Sequence, residues 1–209
     1  MSTRICEECT MAKGTKQRIL DEALIMFAQC GYEGTNMREL AQALGLGKSA
    51  LYKHYASKED IWTSMLDVLE TRYSKSFGSE DNLPPVPSSC DELVEMSMRL
   101  VDFTIHDEKI VLTRRLLLAE QHRDEHARAL ASEHFLKRLD RIFTHVFAGM
   151  MDKGLLKRRD SQLLALAYTA PISALIMECD RYPEKEPEIT ERIRTFATHF
   201  VEAAREQGR

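Results

Sequence analysis

Glycine and proline are both scarce in this sequence, which has nine glycines and six prolines among 209 residues. Its long tracts rich in Ala, Leu, Glu, Arg and Met favour helix over sheet, because straight-chain side chains lose little rotamer freedom in a helix. Because 44% of the residues are hydrophobic and 30% are charged, the chain can bury a sizeable core, and disorder is not expected. The sequence therefore predicts an all-α fold of one domain or two small ones.

Long hydrophobic runs and a secretion signal are also missing. The longest uncharged stretch, residues 161–177, is interrupted by Gln162, Pro171 and Ser173, and it falls short of the roughly 20 apolar residues that span a bilayer. The first ten residues, MSTRICEECT, contain no apolar segment typical of a signal peptide. We therefore expect a soluble cytoplasmic protein with no membrane partner, whose five cysteines are thiols.

The sequence lacks the motifs of several common enzyme classes: a GxSxG elbow, a Walker A loop, GxGxxG, HExxH and a Glu-x-x-His pair. Cys6 and Cys9 form a CxxC motif, but a structural zinc site needs a second pair of ligands. Redox sensing by these thiols and an inconsequential extension over residues 1–10 both remain open. His122 and His126 lie four residues apart in charged surroundings, which favours a solvated surface over a metal site. No enzymatic activity, cofactor or metal is expected.

Basic residues are unevenly distributed along this acidic chain of net charge -4. Residues 11–58 carry seven basic and four acidic side chains, whereas residues 59–209 carry 21 basic and 27 acidic ones. This contrast indicates a polyanionic partner for the N-terminal segment alone. Charge by itself would also fit a chance fluctuation.

Helical periodicity is clear at the N-terminus. Ile19, Ala23 and Phe27 recur at a spacing of four and predict an amphipathic helix of about four turns that stops at Gly31. Asn36 is a candidate cap for a short second helix. A fourth helix, over residues 58–77, is predicted to follow a Ser-Lys-Glu-Asp capping sequence.

The second and third helices have the spacing of a helix-turn-helix. Ala41 provides a small residue where two helices cross, Gly45 permits the turn, and Leu51 anchors the third helix from inside. Gly47 precedes the third helix as a modest cap. Two short antiparallel helices of an ordinary bundle could give the same pattern, so the exposed side chains decide the interpretation.

Residues 15–69 closely resemble the N-terminal DNA-binding domain of TetR-type transcriptional regulators. The residues that match this signature are Gly31, Gly34, Thr35, Arg38, Ala41, Gly45, Leu51, Tyr52, His54, Tyr55, Ser57, Lys58 and Glu59. Two positions depart from it: Gly47 stands where the family usually has a capping Ser or Thr, and Ser49 stands where a small or varied residue is common. The rest of the chain is similar to the family in length and helical character only.

The resemblance implies a recognition helix that enters the major groove of double-stranded DNA. Arg38 is our candidate for a bidentate contact with guanine, because its planar fork suits two acceptors on one base edge. Lysine side chains can reach phosphates, and the tyrosine hydroxyl can do the same. The alternative is a set of solvated surface cations. The predicted DNA-binding residues are Thr35, Arg38, Lys48, Ser49, Tyr52, Lys53, His54 and Lys58.

These observations divide the chain into a helix-turn-helix domain at 11–58, a connecting helix at 59–77 and a helical-bundle domain for ligand binding and dimerisation at 78–209. Further helices are predicted at residues 90–106, 112–124, 125–153, 161–179 and 189–203. The bundle could hold a largely apolar effector, although Met and Phe stripes also describe an ordinary core. The predicted ligand-binding residues are Phe103, Leu117, Gln121, Arg138, Phe147 and Tyr168.

The last two helices carry apolar surface that could either complete the monomer core or form a dimer interface. The resemblance implies a homodimer, with a near-palindromic operator and release of DNA when the effector shifts the helix at 59–77. A helical carrier or scaffold without DNA binding is the alternative. The predicted interface residues are Leu163, Leu166, Ala170, Ala174, Ile193, Phe196 and Phe200.

Overall fold

The computed structural model of the chain describes residues 2–77 and 83–205. Within that part, the regular elements are helical apart from one antiparallel bridge between Leu156 and Arg205, which confirms the all-α fold. The α-helices of the described residues are α1 (Ser2–Gly34), α2 (Met37–Ala43), α3 (Lys48–His54), α4 (Lys58–Phe77), α5 (Cys90–His106), α6 (Glu108–Glu120), α7 (Glu125–Ser132), α8 (Arg138–Asp152), α9 (Ser161–Arg181) and α10 (Glu186–Ala204).

The N-terminal helices begin where the sequence places their caps. The side-chain oxygen of Asn36 accepts hydrogen bonds from the backbone N–H groups of Arg38 and Glu39 at 3.1 and 3.0 Å. At the start of α4, the backbone N–H of Asp60 donates to the Ser57 hydroxyl oxygen at 3.0 Å. Because each side chain satisfies backbone donors that the first turn leaves without partners, these local signals suffice to fix both starts.

Two predicted helices differ most from the structure. The helix expected at residues 112–124 is α6, which begins at Glu108, where Asp107 caps it, and ends at Glu120. The long helix expected at 125–153 is divided into α7 and α8 by a π-helical turn, Glu133–Lys137. The hydrophobic spacing did not reveal this turn. A π-helical turn adds one residue and rotates the side chains that follow it, but the chain stays helical throughout.

Two hydrophobic clusters form the core, and α6 belongs to both. The N-terminal cluster joins α1–α4 to α6 and α7, through Leu116 and Leu117 among others. The C-terminal cluster is built from α5, α8, α9 and α10 and also takes Ile110, from the first turn of α6. The N-terminal core therefore extends beyond the predicted boundary at residue 58, and α6 connects it directly to the bundle.

Gly31 breaks the helical geometry near the end of α1, with φ 74° and ψ 168°. Side chains other than glycine rarely adopt this conformation, and a Cβ atom here would lie 3.1 Å from Glu120 Oε1. We expect Gly31→Ala to lower the free energy of unfolding by about 1–3 kcal/mol in urea titrations. Gly14→Ala is the matched control on the same helix, since its Cβ would meet nothing within 4 Å. Equal stability of the two variants would contradict the expectation.

Candidate nucleic-acid interface and effector cavity

The turn between α2 and α3 has the geometry that the sequence predicts. Gly45 adopts a positive φ of 65°, and the backbone N–H of Leu46 donates to the carbonyl of Ala41 at 2.8 Å. Ala41 and Leu51 are both buried where the helices meet. Gly47 precedes α3 in an extended conformation and provides no side-chain cap. The turn therefore fixes α3 against α2 and leaves the outer face of α3 uncovered.

That outer face carries most of the predicted DNA-binding residues. Lys48, Ser49 and Lys53 are exposed and His54 is half-buried, while Tyr52 is 41% exposed, which is unusual for so large a side chain. The Lys48 ammonium lies 5.8 Å from the centre of the Tyr52 ring. Arg38 is also exposed, on α2. Positive charge, an aromatic hydroxyl and a serine are thus presented together to solvent, as contact with a phosphate backbone requires.

The structure places two predicted residues elsewhere. Thr35 is only 1% exposed, and its hydroxyl donates to the carbonyl of Gly31 at 3.0 Å, so it stabilises the break after α1. The Lys58 ammonium donates to the Tyr32 carbonyl at 2.9 Å and lies 4.2 Å from the centre of the Tyr32 ring. Both side chains stabilise the link between helices in this conformation. Their assignment to DNA contacts therefore has less geometric support than that of the residues on α3.

A network around Tyr32 joins the helix-turn-helix to the rest of the chain, and sequence reasoning missed it. The Tyr32 hydroxyl donates to Glu59 Oε2 on α4 at 2.5 Å, and burial together with the Glu59 carboxylate raises the pKa of Tyr32. The backbone N–H of Tyr32 donates to Glu120 Oε1 on α6 at 3.1 Å. Glu120 is buried, but nothing in its local sequence distinguishes it from the other polar residues of a surface helix.

The second feature is a cavity inside the C-terminal bundle, with an empty volume of about 830 Å³ including the space at its mouth. The wall is mostly apolar, with a few polar side chains. Its lining residues are Ser97, Leu100, Val101, Thr104, Arg114, Leu118, His134, Phe135, Arg138, Leu139, Phe143, Thr169, Ile172, Ser173, Ile176 and Met177.

Of the six predicted ligand-binding residues, Arg138 is in the cavity wall and the other five are not. Phe103 lines a separate groove beside α1 and α4, and Leu117 belongs to the N-terminal core. The Gln121 amide donates to the carbonyl of Leu118 at the end of α6. The remaining two, Phe147 and Tyr168, pack against each other with ring centroids 5.4 Å apart. The apolar periodicity that suggested these residues reflects core packing, which a sequence pattern does not distinguish from a cavity wall.

Ionisable groups line the cavity at two places. The Arg114 guanidinium binds Asp180 through two nitrogens, at 2.5 and 2.8 Å, and donates to the Thr104 carbonyl at 2.9 Å. At the second place, Arg138 donates to Glu70 Oε1 and, at 3.2 Å, to the Ser74 hydroxyl oxygen. The other Glu70 oxygen lies 2.9 Å from His134 Nε2. Burial lowers the pKa of His134 to about 4, so its imidazole is neutral at pH 7.

The predicted dimer interface divides into exposed and buried residues. Leu163 and Leu166 are 65% and 53% exposed, and Ala170 and Ala174 are exposed at helical spacing along the same helix, α9. On α10, Ile193 is buried in the core of its own bundle. The half-buried Phe196 and Phe200 pack against Tyr168. The apolar surface available to a partner is therefore centred on α9.

Helix α9 is long and apolar enough to cross a membrane, which the sequence analysis did not expect, and it is the one such helix in the described part of the chain. Core helices of soluble proteins meet the same criterion, so the observation is weak evidence for a membrane span. One face of α9 packs on α8. A second copy of α9 would cover the exposed face equally well.

Neither metal-like pattern of the sequence gains support from the fold. His122 and His126 are exposed on either side of the Asp124 cap of α7. Among the described side chains of residues 14–77 and 83–205, no group of three or more His, Cys, Asp or Glu residues could hold a metal ion. The side chains of Cys6 and Cys9 lie outside the described part of the chain.

Comparison with known proteins identifies the N-terminal helices. Residues 19–65 match the family of "Bacterial regulatory proteins, tetR family". The transcriptional regulator AcrR of Shigella flexneri is 31% identical over 108 residues, which are 51% of this chain and 47% of that protein. The negative transcriptional regulator IcaR of Staphylococcus epidermidis is 33% identical over 52 residues, 25% of this chain and 28% of that protein. The chain thus spans about half, or less, of the curated relatives that it matches.

The fold is similar to that of a solved TetR-type structure over most of the chain. A crystal structure of a regulator assigned to the TetR family, from Mesorhizobium loti, superposes with a TM-score of 0.72 and covers 93% of this chain and 98% of that one, at 20% identity. At that identity the likeness shows the fold alone. Residues 19–65 thus match the tetR family of bacterial regulatory proteins, and the fold of most of the chain is similar to that of a TetR-type structure.

Proposed function

We propose that the chain is a one-component transcriptional regulator that binds a near-palindromic DNA operator as a homodimer and is released by a small, largely apolar effector. The observation that carries this proposal is the outer face of α3, where Lys48, Tyr52 and Lys53 are exposed while Leu51 anchors the helix from inside. An acidic chain gains little from such a face unless the face meets a polyanion. The proposal also places the protein in the cytoplasm, where its DNA would be.

Dimerisation through α9 would give the operator its symmetry. The exposed apolar residues of α9 form a stripe that a twofold copy of the same stripe can cover. Two copies of α3 would then face successive major grooves, with half-sites separated by about 34–36 Å or a multiple of it. Repression is the proposed outcome of DNA binding, supported by the name of IcaR as a negative regulator.

Helix α6 is our candidate for the link between effector and DNA, in addition to the α4 helix that the sequence suggested. Arg114 and Leu118 of α6 line the cavity. Other side chains of the same helix contact α1: Lys109 pairs with Asp21 at 2.5 Å, and Glu120 accepts from Tyr32. A ligand that shifts α6 would therefore move α1, and with it the helix-turn-helix. Effector and operator would then lower each other's affinity by the same factor.

The salt dependence of DNA binding tests the proposal against a helical carrier, to which a cavity would be equally useful. We would measure the affinity of the purified protein for labelled genomic duplexes by fluorescence anisotropy at several salt concentrations. A regulator should show log K falling with log salt by about 0.9 for each phosphate neutralised. Weak background binding with no such slope would favour the carrier.

A further inference from the structure

The polar end of the cavity contains a buried cation whose partner is less buried than the cation itself. The Arg138 side chain is 7% exposed, whereas the Glu70 side chain that pairs with it is 36% exposed. Removing the counterion from a buried guanidinium is costly, since the charge cannot return to water. The Glu70 side chain is partly exposed, and although its Oε2 atom is buried in this conformation, its carboxylate can return to water at lower cost than the guanidinium can. Glu70 is therefore the partner that can be exchanged.

Arg138 also retains a hydrogen-bond donor for a ligand. Among the described residues, its Nε atom is buried and has no hydrogen-bond partner. Its two terminal nitrogens donate to Glu70 and to the Ser74 hydroxyl oxygen. A buried donor without an acceptor costs free energy, which an entering acceptor would recover. A carboxylate can accept from two guanidinium nitrogens at once, so it matches this geometry better than an alcohol does.

The rest of the wall presents no negative charge that would oppose an anion at Arg138. No Asp or Glu is among the lining residues, so a carboxylate would meet no like charge from the cavity wall itself. The other lining arginine, Arg114, already has Asp180 and the Thr104 carbonyl as partners. The imidazole of His134 is neutral and adds no charge to the wall. Apolar side chains cover most of the remaining surface, including Leu100, Phe143 and Ile176.

On these grounds, and resting on the proposed function, we infer that the effector is an apolar monocarboxylate whose carboxylate replaces Glu70 on Arg138. This exchange would release α4 from α8, because Glu70 and Ser74 both lie on α4 whereas Arg138 begins α8. The first half of α4 belongs to the N-terminal core through Ile61 and Met65. Breaking this contact therefore frees the helix that supports the helix-turn-helix.

Binding of three probes with the same alkyl chain tests the ligand class: decanoate, decan-1-ol and decylamine. We expect calorimetry at pH 7.5 to show decanoate binding at least 10-fold more tightly than decan-1-ol, because the charged guanidinium meets a charged, bidentate acceptor in decanoate and a neutral hydroxyl in decan-1-ol. Decylamine should bind most weakly. Equal affinities of decanoate and decan-1-ol, or no binding by any probe, would overturn the inference.

Two substitutions test the exchange itself. Arg138→Gln should remove the preference for decanoate and leave decan-1-ol binding unchanged. Glu70→Gln keeps the guanidinium but weakens its present partner, so it should tighten decanoate binding at least several-fold. Glu95→Gln is the matched control, since it changes an exposed pair with Arg194, and neither residue lines the cavity. If Glu70→Gln weakens decanoate binding, the proposed carboxylate exchange is wrong. This test does not depend on whether Arg138→Gln folds.

Experiments with DNA distinguish failure of this inference from failure of the proposed function on which it rests. Decanoate should release the wild-type protein from its selected DNA, and Glu70→Gln should need less of it. If the protein binds DNA but does not bind decanoate, and decanoate does not affect DNA binding, the proposed regulator function stands and the monocarboxylate effector is wrong. A decanoate preference without any DNA binding supports the cavity assignment and contradicts the proposed function.

Discussion

Replacing Leu163 and Leu166 together by aspartate is expected to convert the proposed dimer to a monomer. Their side chains are 65% and 53% exposed in the single chain, and a twofold interface would bury four leucines, two from each copy. Burying a fully exposed leucine contributes about 1.5–3 kcal/mol, and because these four are already partly buried in the single chains, the loss is roughly 3.5–7 kcal/mol, which weakens dimerisation by at least about 300-fold. Facing aspartates would add repulsion.

Sedimentation analysis of the double variant measures this effect directly. Leu136→Asp is the matched control, because Leu136 is 63% exposed on the π-helical turn, outside α9. The control should remain dimeric, and circular dichroism should show unchanged helix content in both proteins. Loss of one recognition helix from the complex should also reduce operator affinity to the non-specific range, roughly 10⁻⁴–10⁻⁶ M. A variant that stays dimeric would show that α9 is not the interface.

Replacing Lys48 and Lys53 together by alanine should weaken operator binding by roughly 10⁴-fold at 0.15 M salt, because a dimer would lose four charged hydrogen bonds, two in each half-site, at about 1.5 kcal/mol each. If both lysines neutralise phosphates, the slope of log K against log salt should also fall by about 0.9 for each lysine in each half-site. Fold stability should hardly change, since both side chains are exposed on α3.

The control removes the same charge at a distance: Lys137→Ala combined with Arg159→Ala, two exposed residues of the bundle. It should leave both the affinity and the salt slope near their wild-type values. If the two double variants lose equal affinity, DNA responds to the overall charge of the protein and α3 has no special part in binding.

Much of the N-terminal domain could be predicted because its signals are local. A cap such as Asn36 satisfies backbone donors two and three residues away, and a turn glycine such as Gly45 is required by one positive φ. The exposed face of α3 follows from the same helical periodicity that buries Leu51. None of these inferences needs knowledge of which helices meet in space.

The rest of the site depends on contacts between distant parts of the chain. Glu120 meets Tyr32 across 88 residues, and Arg138 meets Glu70 across 68. Sequence spacing cannot distinguish the wall of a cavity from the core beside it, so Phe147 and Tyr168 looked like ligand contacts until their packing was known. The burial of Thr35, whose hydroxyl donates to the Gly31 carbonyl, could not be read from its local sequence either.

Selection of bound duplexes from a random-sequence library, at about 0.15 M salt where non-specific binding is weak, tests the central claim most directly. The account predicts enrichment of two inverted half-sites, with centres separated by about one helical turn or a multiple of it. It also predicts that Tyr52→Ala and the double variant at Lys48 and Lys53 lose this enrichment. Absence of any enriched sequence would contradict the account, and so would a single half-site bound equally well by the double variant at Leu163 and Leu166.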